Sequence, residues 1–475
     1  MTISLLAYLL IPLFSAILIQ FISKTKENFA DIIANITLFS GLLNIAYLIF
    51  SPSNLRLTLS HITQDTFTLL MILMIYLVAF CVSLYSSGFL NREKNRHHFH
   101  SLILISVSAM CGIVTAGDFF TLYIFVEALT IASLALIAFD NNKKGFQGAM
   151  KYFLLMFPAS FFVLFGIAIL LFAKGSFSFA ALQNIANAGD VPFPVLLGVM
   201  LMLLGFLIKS GLIPFHNQTV SSCQKAYAPV AAFMSGVVTK IAGVYAIIKI
   251  AMIFNFFDLK LHEISQTLML IGAISILFGA IAAMRQKDFK RMLAFSSISQ
   301  IGYIVLALGL ATPLAILGAI FHIFNHATFK TILFLNGANL EKQLNTNNME
   351  KMGGIKHSMP WTSWSSIVAF MATAGLPPLS GFWSKLIIIV ALWQGGEIGY
   401  AIMAIGASIL TLGHFIMIQR NIFFGKVTDI VKKAKEAPLL MLTPIIILCL
   451  VILVSGILFP YFYSSIIETG TKAIL

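Results

Sequence analysis

The chain has 475 residues, 59% of them hydrophobic and only 10% charged, with a formal net charge of +13 and a mean hydropathy of +0.96. Soluble domains carry about 25% charged residues, so this composition excludes a water-soluble globule and leaves no length for a sizeable soluble domain. Cys81, Cys111, Cys223 and Cys449 are scattered without a CxxC pair, and no phosphate-binding glycine loop or HExxH occurs. No metal site, cofactor or catalytic site is therefore read from this chain.

Apolar runs fall at 3–22, 29–50, 65–87, 101–117, 118–139, 151–173 and 193–215, then 228–253, 264–284, 293–311, 313–340, 362–394, 397–419 and 438–463. At roughly 20 residues per span they predict an all-α polytopic membrane protein of about fourteen transmembrane helices. The first run has no basic residue ahead of it and no small-residue cleavage site after it, so it reads as a span rather than a leader. Loop charges test the count, because Lys and Arg concentrate in cytoplasmic loops. With the N-terminus outside, those loops collect Lys24, Lys26, Arg92, Lys94, Lys143, Lys144, Lys151, Arg285, Lys287, Lys290, Arg291, Lys342, Lys432 and Lys433, among others. The outer side receives Arg56, Lys174, Lys249, Lys260 and Lys472. Both termini are predicted outside, and the positive charge is topology that needs no nucleic-acid partner.

Once the Lys and Arg assigned to loops are subtracted, four lysines remain, Lys209, Lys240, Lys330 and Lys385, which lie inside apolar runs together with Glu127. Each costs about 2.5–3.5 kcal/mol near a helix centre, a cost that packing gives no reason to carry. Snorkelling to an interface is the ordinary alternative for Lys240 and Lys330. His322, His326 and Lys330 stand at i, i+4 and i+8, along one helical face. One such histidine is most often a hydrogen-bonded core residue; three titratable groups in one stripe point to proton relay. Ser296, Ser297, Ser299 and Gln300 in the preceding run can hold ordered water. His97, His98 and His100 read as a solvated cluster in a basic loop.

Two runs are interrupted. Gly205 to His216 carries Pro214 and two glycines beside Lys209, and Gly375 to Lys385 carries Pro377, Pro378 and two glycines. Proline kinks a helix, and non-helical backbone at membrane depth persists only inside protein or along a wet cavity. The breaks fall in the seventh and twelfth runs. That spacing predicts two inverted five-helix repeats, helices 4–8 and 9–13. The expected division is 1–100 for helices 1–3, 101–253 for the first repeat, 264–425 for the second and 438–475 for the last helix.

The segments GDFFTLYIFVEALTIAS, GFLIKSGLIPFH, APVAAFMSGVVTKIAGVY, FSSISQIGY, HIFNHATFKTILFLNGA and GLPPLSGFWSK occur in this order. Together they resemble the antiporter-like subunits shared by respiratory complex I (NADH:quinone oxidoreductase), Mrp-type Na+/H+ antiporters and membrane-bound energy-converting hydrogenases. The resemblance covers about residues 60–425. Lys385 in SGFWSK is nearer the Mrp D-type and hydrogenase-type subunits, and Gln300 stands where several members have histidine. The family implies a charged axis on which Glu127 pairs with Lys209, Lys240 bridges, His322, His326 and Lys330 relay, and Lys385 ends the half-channel.

The expected function is proton translocation, or Na+/H+ exchange, by a subunit of a larger energy-converting complex in the inner (cytoplasmic) membrane. Its expected partners are other membrane subunits, protons or Na+, and the lipid bilayer. Two alternatives stand beside it: a motor subunit coupling proton flux to inorganic-carbon uptake with a soluble partner, and a quinone-associated subunit of a redox complex.

Overall fold

The structure, a computed structural model, describes residues 2–22, 28–50, 57–59, 62–64, 66–90, 95–187, 192–254 and 262–474. The chain opens with α1 (Thr2–Ile22) and α2 (Asn28–Phe50), followed by a short antiparallel hairpin, β1 (Leu57–Leu59) and β2 (Ile62–Gln64). Next come α3 (Thr66–Phe89), α4 (Arg96–Thr115), α5 (Phe119–Ile137), α6 (Lys143–Lys174), α7 (Phe179–Asn187), α8 (Phe193–Ser210) and α9 (Asn217–Lys225). A continuous helix follows, built of α10 (Ala228–Phe233), two π-helical turns (Met234–Val238 and Lys240–Val244) and α11 (Tyr245–Phe254). The second half holds α12 (His262–Met284), α13 (Phe289–Leu310), α14 (Pro313–Leu344), α15 (Ile355–Ser358), α16 (Pro360–Ala374) and α17 (Ser380–Gln394). It ends with α18 (Ile398–Ile418), α19 (Asp429–Lys432) and α20 (Leu439–Ile474).

Among the described residues, twelve helices are long and apolar enough to cross a membrane, and Leu6–Ile22 and Ser380–Gln394 are shorter apolar helices. The fold is thus a nearly all-helical membrane protein. Among the described residues the hairpin is the one departure from the expected all-α class, three residues a side and too short to register as alternation in the sequence.

Short polar residues start the central helices by accepting otherwise unpaired N–H groups. Asp118 accepts from Thr121 N at 2.7 Å, and Asp288 accepts from Arg291 N at 2.8 Å. Asn142 caps α6 and Thr312 caps α14 in the same way. At their far ends α6 and α14 stop at Gly175 (φ 67°) and Asn345 (φ 51°), both left-handed. Asp118 also pairs with Ser178, and Asp288 with Asn348, through single antiparallel bridges. Every member of the second set lies 170 positions after its counterpart in the first, as 288 follows 118 and 348 follows 178.

Close helix pairs rest on glycine, as expected where apolar association alone gives no grip between helices in lipid. A Cβ at Gly272 of α12 would sit 2.6 Å from Leu306 N of α13, and one at Gly279 would sit 2.6 Å from Ser299 N. The centre of the molecule is α13, α14 and the α10–α11 helix, while α6 turns Phe153, Phe157, Phe161 and Phe165 outward.

Several loop boundaries move. Lys143, Lys144, Lys151, Lys290, Arg291 and Lys342, expected in loops, lie inside α6, α13 and α14. The charged ends of these helices extend beyond their apolar stretches. Lys249, expected outside, lies in α11 and is buried, with its ammonium 5.5 Å from the Phe67 ring centroid and 5.7 Å from that of Tyr245. His100 is no solvated loop residue. The fourth helix starts at Arg96, which buries His100 against Ser83 (3.1 Å) and Asp31 (3.1 Å). Lys24, Lys26, Arg56, Arg92, Lys94 and Lys260 lie outside the described residues.

Candidate functional site

The first interrupted helix ends where it does because Gly211 takes a left-handed conformation (φ 71°) directly after Ser210. Its N–H bonds Ile208 O, and the Gln218 side chain, across the break, donates to the same carbonyl at 3.0 Å. The break leaves Lys209 one residue from the helix end, facing α5 and α6. Its Nζ lies 3.1 Å from Glu127 Oε1, 3.0 Å from Ser160 Oγ and 3.3 Å from Thr130 Oγ1. Ser160 also donates to Glu127 Oε1 at 2.6 Å. The ammonium is buried, whereas the glutamate side chain keeps 27% of its exposure. Burying an ion pair is tolerable only when its remaining donors and acceptors are satisfied, and Ser160 and Thr130 do this for Lys209.

Lys240 begins the second π turn. A π turn carries an extra residue and is frequent at functional sites. Here glycines let the widened helix pack closely, Gly243 against the Ser210 backbone and Gly236 against Val78 and Thr331. Lys240 has no exposure, and its Nζ has no hydrogen-bond partner. Lys330 is equally buried but anchored, donating to Ser296 Oγ at 2.8 Å and Leu293 O at 3.2 Å. Neither lysine snorkels.

His322 and His326 are fully buried beside Lys330 on α14, with ring centroids 6.4 Å apart. His322 Nδ1 meets Ser384 Oγ at 2.9 Å, but its Nε2 is unpartnered, as are both nitrogens of His326 and both polar atoms of Gln300. The second break, at Gly375 (φ 86°), separates α16 from α17. Lys385 leans back across it, with Nζ 3.5 Å from Ala374 O, a carbonyl at the end of α16, and 4.7 Å from the Tyr303 ring centroid. A helix C-terminus carries partial negative charge and favours a cation there.

Buried polar atoms in native proteins are nearly always hydrogen-bonded, to water if not to protein. Lys240, Gln300, His322 and His326 thus hold buried polar atoms that protein groups leave unpartnered. Near the α13 N-terminus the interior meets a cavity of about 680 Å³ lined by Asp140, Lys144, Gln224, Lys290, Glu341 and Asn347, among others. Lys290 there bonds Glu341 at 2.9 Å and Ala226 O at 3.3 Å. At the surface nearby, the hydrogen bond from Lys287 to Glu350 raises the lysine pKa.

Residues 116–411 match the family described as NADH:quinone oxidoreductase/Mrp antiporter, TM, and residues 50–100 match the N-terminal region of complex I chain 5. The chain belongs to this antiporter-subunit family. Within it, the chain is 30% identical over 401 residues to the D-type subunit of the Na+/H+ antiporter of Alkalihalophilus pseudofirmus, covering 83% of this chain and 80% of the relative. It is also 30% identical over 416 residues to the N-type subunit of NADH-quinone oxidoreductase of Desulforudis audaxviator, covering 83% and 82%. Among solved structures it superposes on a chain of an archaeal membrane-bound sulfane sulfur reductase with TM-score 0.89 and 26% identity, covering 99% of this chain and 98% of that one. A chain of the Mrp complex from Dietzia sp. shares the fold at TM-score 0.88 and 23% identity, covering 100% and 97%.

In this antiporter-type chain the structure brings Glu127 to Lys209 and sets His322, His326 and Lys330 on one buried face. Lys240 and Lys385 make no side-chain hydrogen bond to either group. Sequence reasoning did not single out Ser160 and Thr130 at the ion pair, Tyr303 under Lys385, or the Lys290–Glu341 pair. It also passed over the Asp31–Arg96–His100 cluster, where Arg96 lies 3.4 Å from Asp31. Two signals were present: Asp31 is a carboxylate within the apolar run 29–50, and Lys249 lies within 228–253.

Proposed function

We propose that this chain is a proton-translocating, antiporter-like subunit of a larger energy-converting membrane complex. The observation that supports the reading is a set of buried Lys and His side chains, several with unpartnered nitrogens, in the same helical interior as the Glu127–Lys209 pair. Its relatives include subunits of Na+/H+ antiporters and of NADH-quinone oxidoreductase.

Glu127 and Lys209 form the switch. While the carboxylate faces the ammonium, charge is balanced; when it turns away, the lysine passes a proton toward Lys240. His326 and His322 relay it with Lys330, and Lys385 delivers it beyond the second break. Pro214, Pro377 and Pro378 mark the two breaks and leave backbone free of the helical ladder beside Lys209 and Lys385.

Recurrence of caps, bridges and helix starts at 170 positions supports two five-helix repeats, 101–253 and 264–425, flanked by helices 1–3 (1–100) and a last helix (438–475). Five helices per repeat would invert the second copy; an even number of spans would put both termini on one side, and the Lys and Arg of the loops favour the outside of an inner membrane. The test is proton uptake by vesicles containing the native complex, purified through this chain. Lys240→Met removes the unpartnered ammonium without creating a void. Loss of uptake with an intact complex is expected, and a wild-type rate would remove the proposed path.

A further inference from the structure

His414 of α18 takes no part in the path above. It is only 5% exposed, and neither ring nitrogen has a hydrogen-bond partner. Leaving an imidazole dry in this way costs free energy, so the place it faces matters.

It faces a cavity lined by Ser296 and Ser299 of α13, Thr411 of its own helix, and Ala280 and Ala283 of α12. The space is about 10 Å³, close to the minimum for a single water, and a buried water needs two to four polar partners. Two of the three hydroxyls already donate to backbone, Ser299 to Ile276 O and Thr411 to Ala407 O, and keep their lone pairs for a water. Ser296 is different. Among the described residues its Oγ accepts from Lys330 Nζ at 2.8 Å and makes no donated bond. Its own proton is free to point into the cavity.

We propose that His414 is a second proton outlet for Lys330, joined to it by Ser296 and one water. This rests on reading Lys330 as a proton carrier. The Lys330 ammonium gives a proton to Ser296 Oγ as Ser296 passes its own to the water. The water passes one on to a ring nitrogen of His414, leaving a neutral lysine and an imidazolium. The imidazolium then gives the proton on its other ring nitrogen to a solvent water entering from the side of the basic loops, which leaves the ring neutral. That side is marked by Arg285, two residues beyond Ala283, and by Arg420, six residues beyond His414. The branch therefore leaves the main axis at Lys330, well before Lys385.

The test uses the native complex in vesicles, with proton uptake driven by an imposed membrane potential. His414→Phe keeps a ring of similar volume and removes both nitrogens, and uptake is expected to fall to the lower rate that the Lys385 route sustains alone. His414→Ala should fall equally and recover when millimolar imidazole occupies the enlarged cavity. A packing role predicts the reverse, with Phe active and imidazole without effect, and that result overturns the proposal. If His414→Phe runs at the wild-type rate while Lys330→Ala is inactive, the outlet is wrong and the main path stands. A wild-type rate in Lys330→Ala removes the underlying reading instead. Should His414→Phe fail to assemble, absence of imidazole recovery in His414→Ala overturns the proposal.

Discussion

A carboxamide at position 127 can still accept from Ser160 and Lys209, the two bonds Glu127 now makes. Glu127→Gln thus preserves the local geometry and removes only the negative charge. The expected result is a fully assembled complex whose proton flux falls roughly a hundredfold, measured in reconstituted vesicles; unchanged flux would show that the charge is not switching. Lys385 poses a sharper question, because it is the only ionisable residue between Trp361 and Gly396. Arginine keeps the positive charge but does not deprotonate in proteins. If Lys385 carries protons, Lys385→Arg should assemble and pump as poorly as Lys385→Ala. An active arginine variant would assign Lys385 a purely electrostatic role. The charged members of this axis were legible in sequence because a charge inside an apolar run is costly wherever the chain folds. Their uncharged companions were not. Ser160, Thr130 and Tyr303 are ordinary residues until non-local packing sets them against a lysine.

Helices meet here through absent side chains as much as through present ones. A Cβ at Gly272 would lie 2.6 Å from Leu306 N and 2.9 Å from Gly302 O, both backbone atoms that cannot swing aside. Gly272→Leu should therefore push α12 from α13 and destabilise the protein by about 1–3 kcal/mol or more, read as a lower unfolding temperature in detergent. An unchanged temperature would mean that this contact loosens freely. The positions of the apolar helices were legible, since a long apolar run is a local property. Their ends were less so. Lys143 sits inside a helix because a charged residue at a helix end reaches water without breaking the backbone ladder, and Lys290 because Glu341 and the Ala226 carbonyl receive its ammonium.

For the whole molecule, the distribution of Lys and Arg predicts which face is cytoplasmic, and chemical labelling can decide it. Lys174, at the end of α6, and Lys433, just after α19, are both exposed and lie on opposite faces in the inferred topology. In a background with the four native cysteines replaced, Lys433→Cys should react only from the cytoplasmic side and Lys174→Cys only from outside. Reaction of both from one side would mean an even number of crossings between them, and the inferred topology would fail. The recurrence of caps at 170 positions could be seen only once the caps themselves were visible. Asp118 and Asp288 share a role, yet few of the residues around them match.

The crowding of polar groups on α14 bears on how the protein is made. This helix buries His322, His326, Lys330, Asn325, Asn336 and Asn339, and it is the least apolar of the twelve long spans. Asked to enter lipid alone from the translocon, it would leave each of those groups facing hydrocarbon. Its integration must then wait for neighbours that cover them: α13, already synthesised, and α16 and α17, still to come. Nascent chains released just after α14 should accumulate at the insertion machinery, and those extended past α17 should partition into the bilayer. The helix proposed to carry the proton relay is thereby also the one whose biogenesis is most collective.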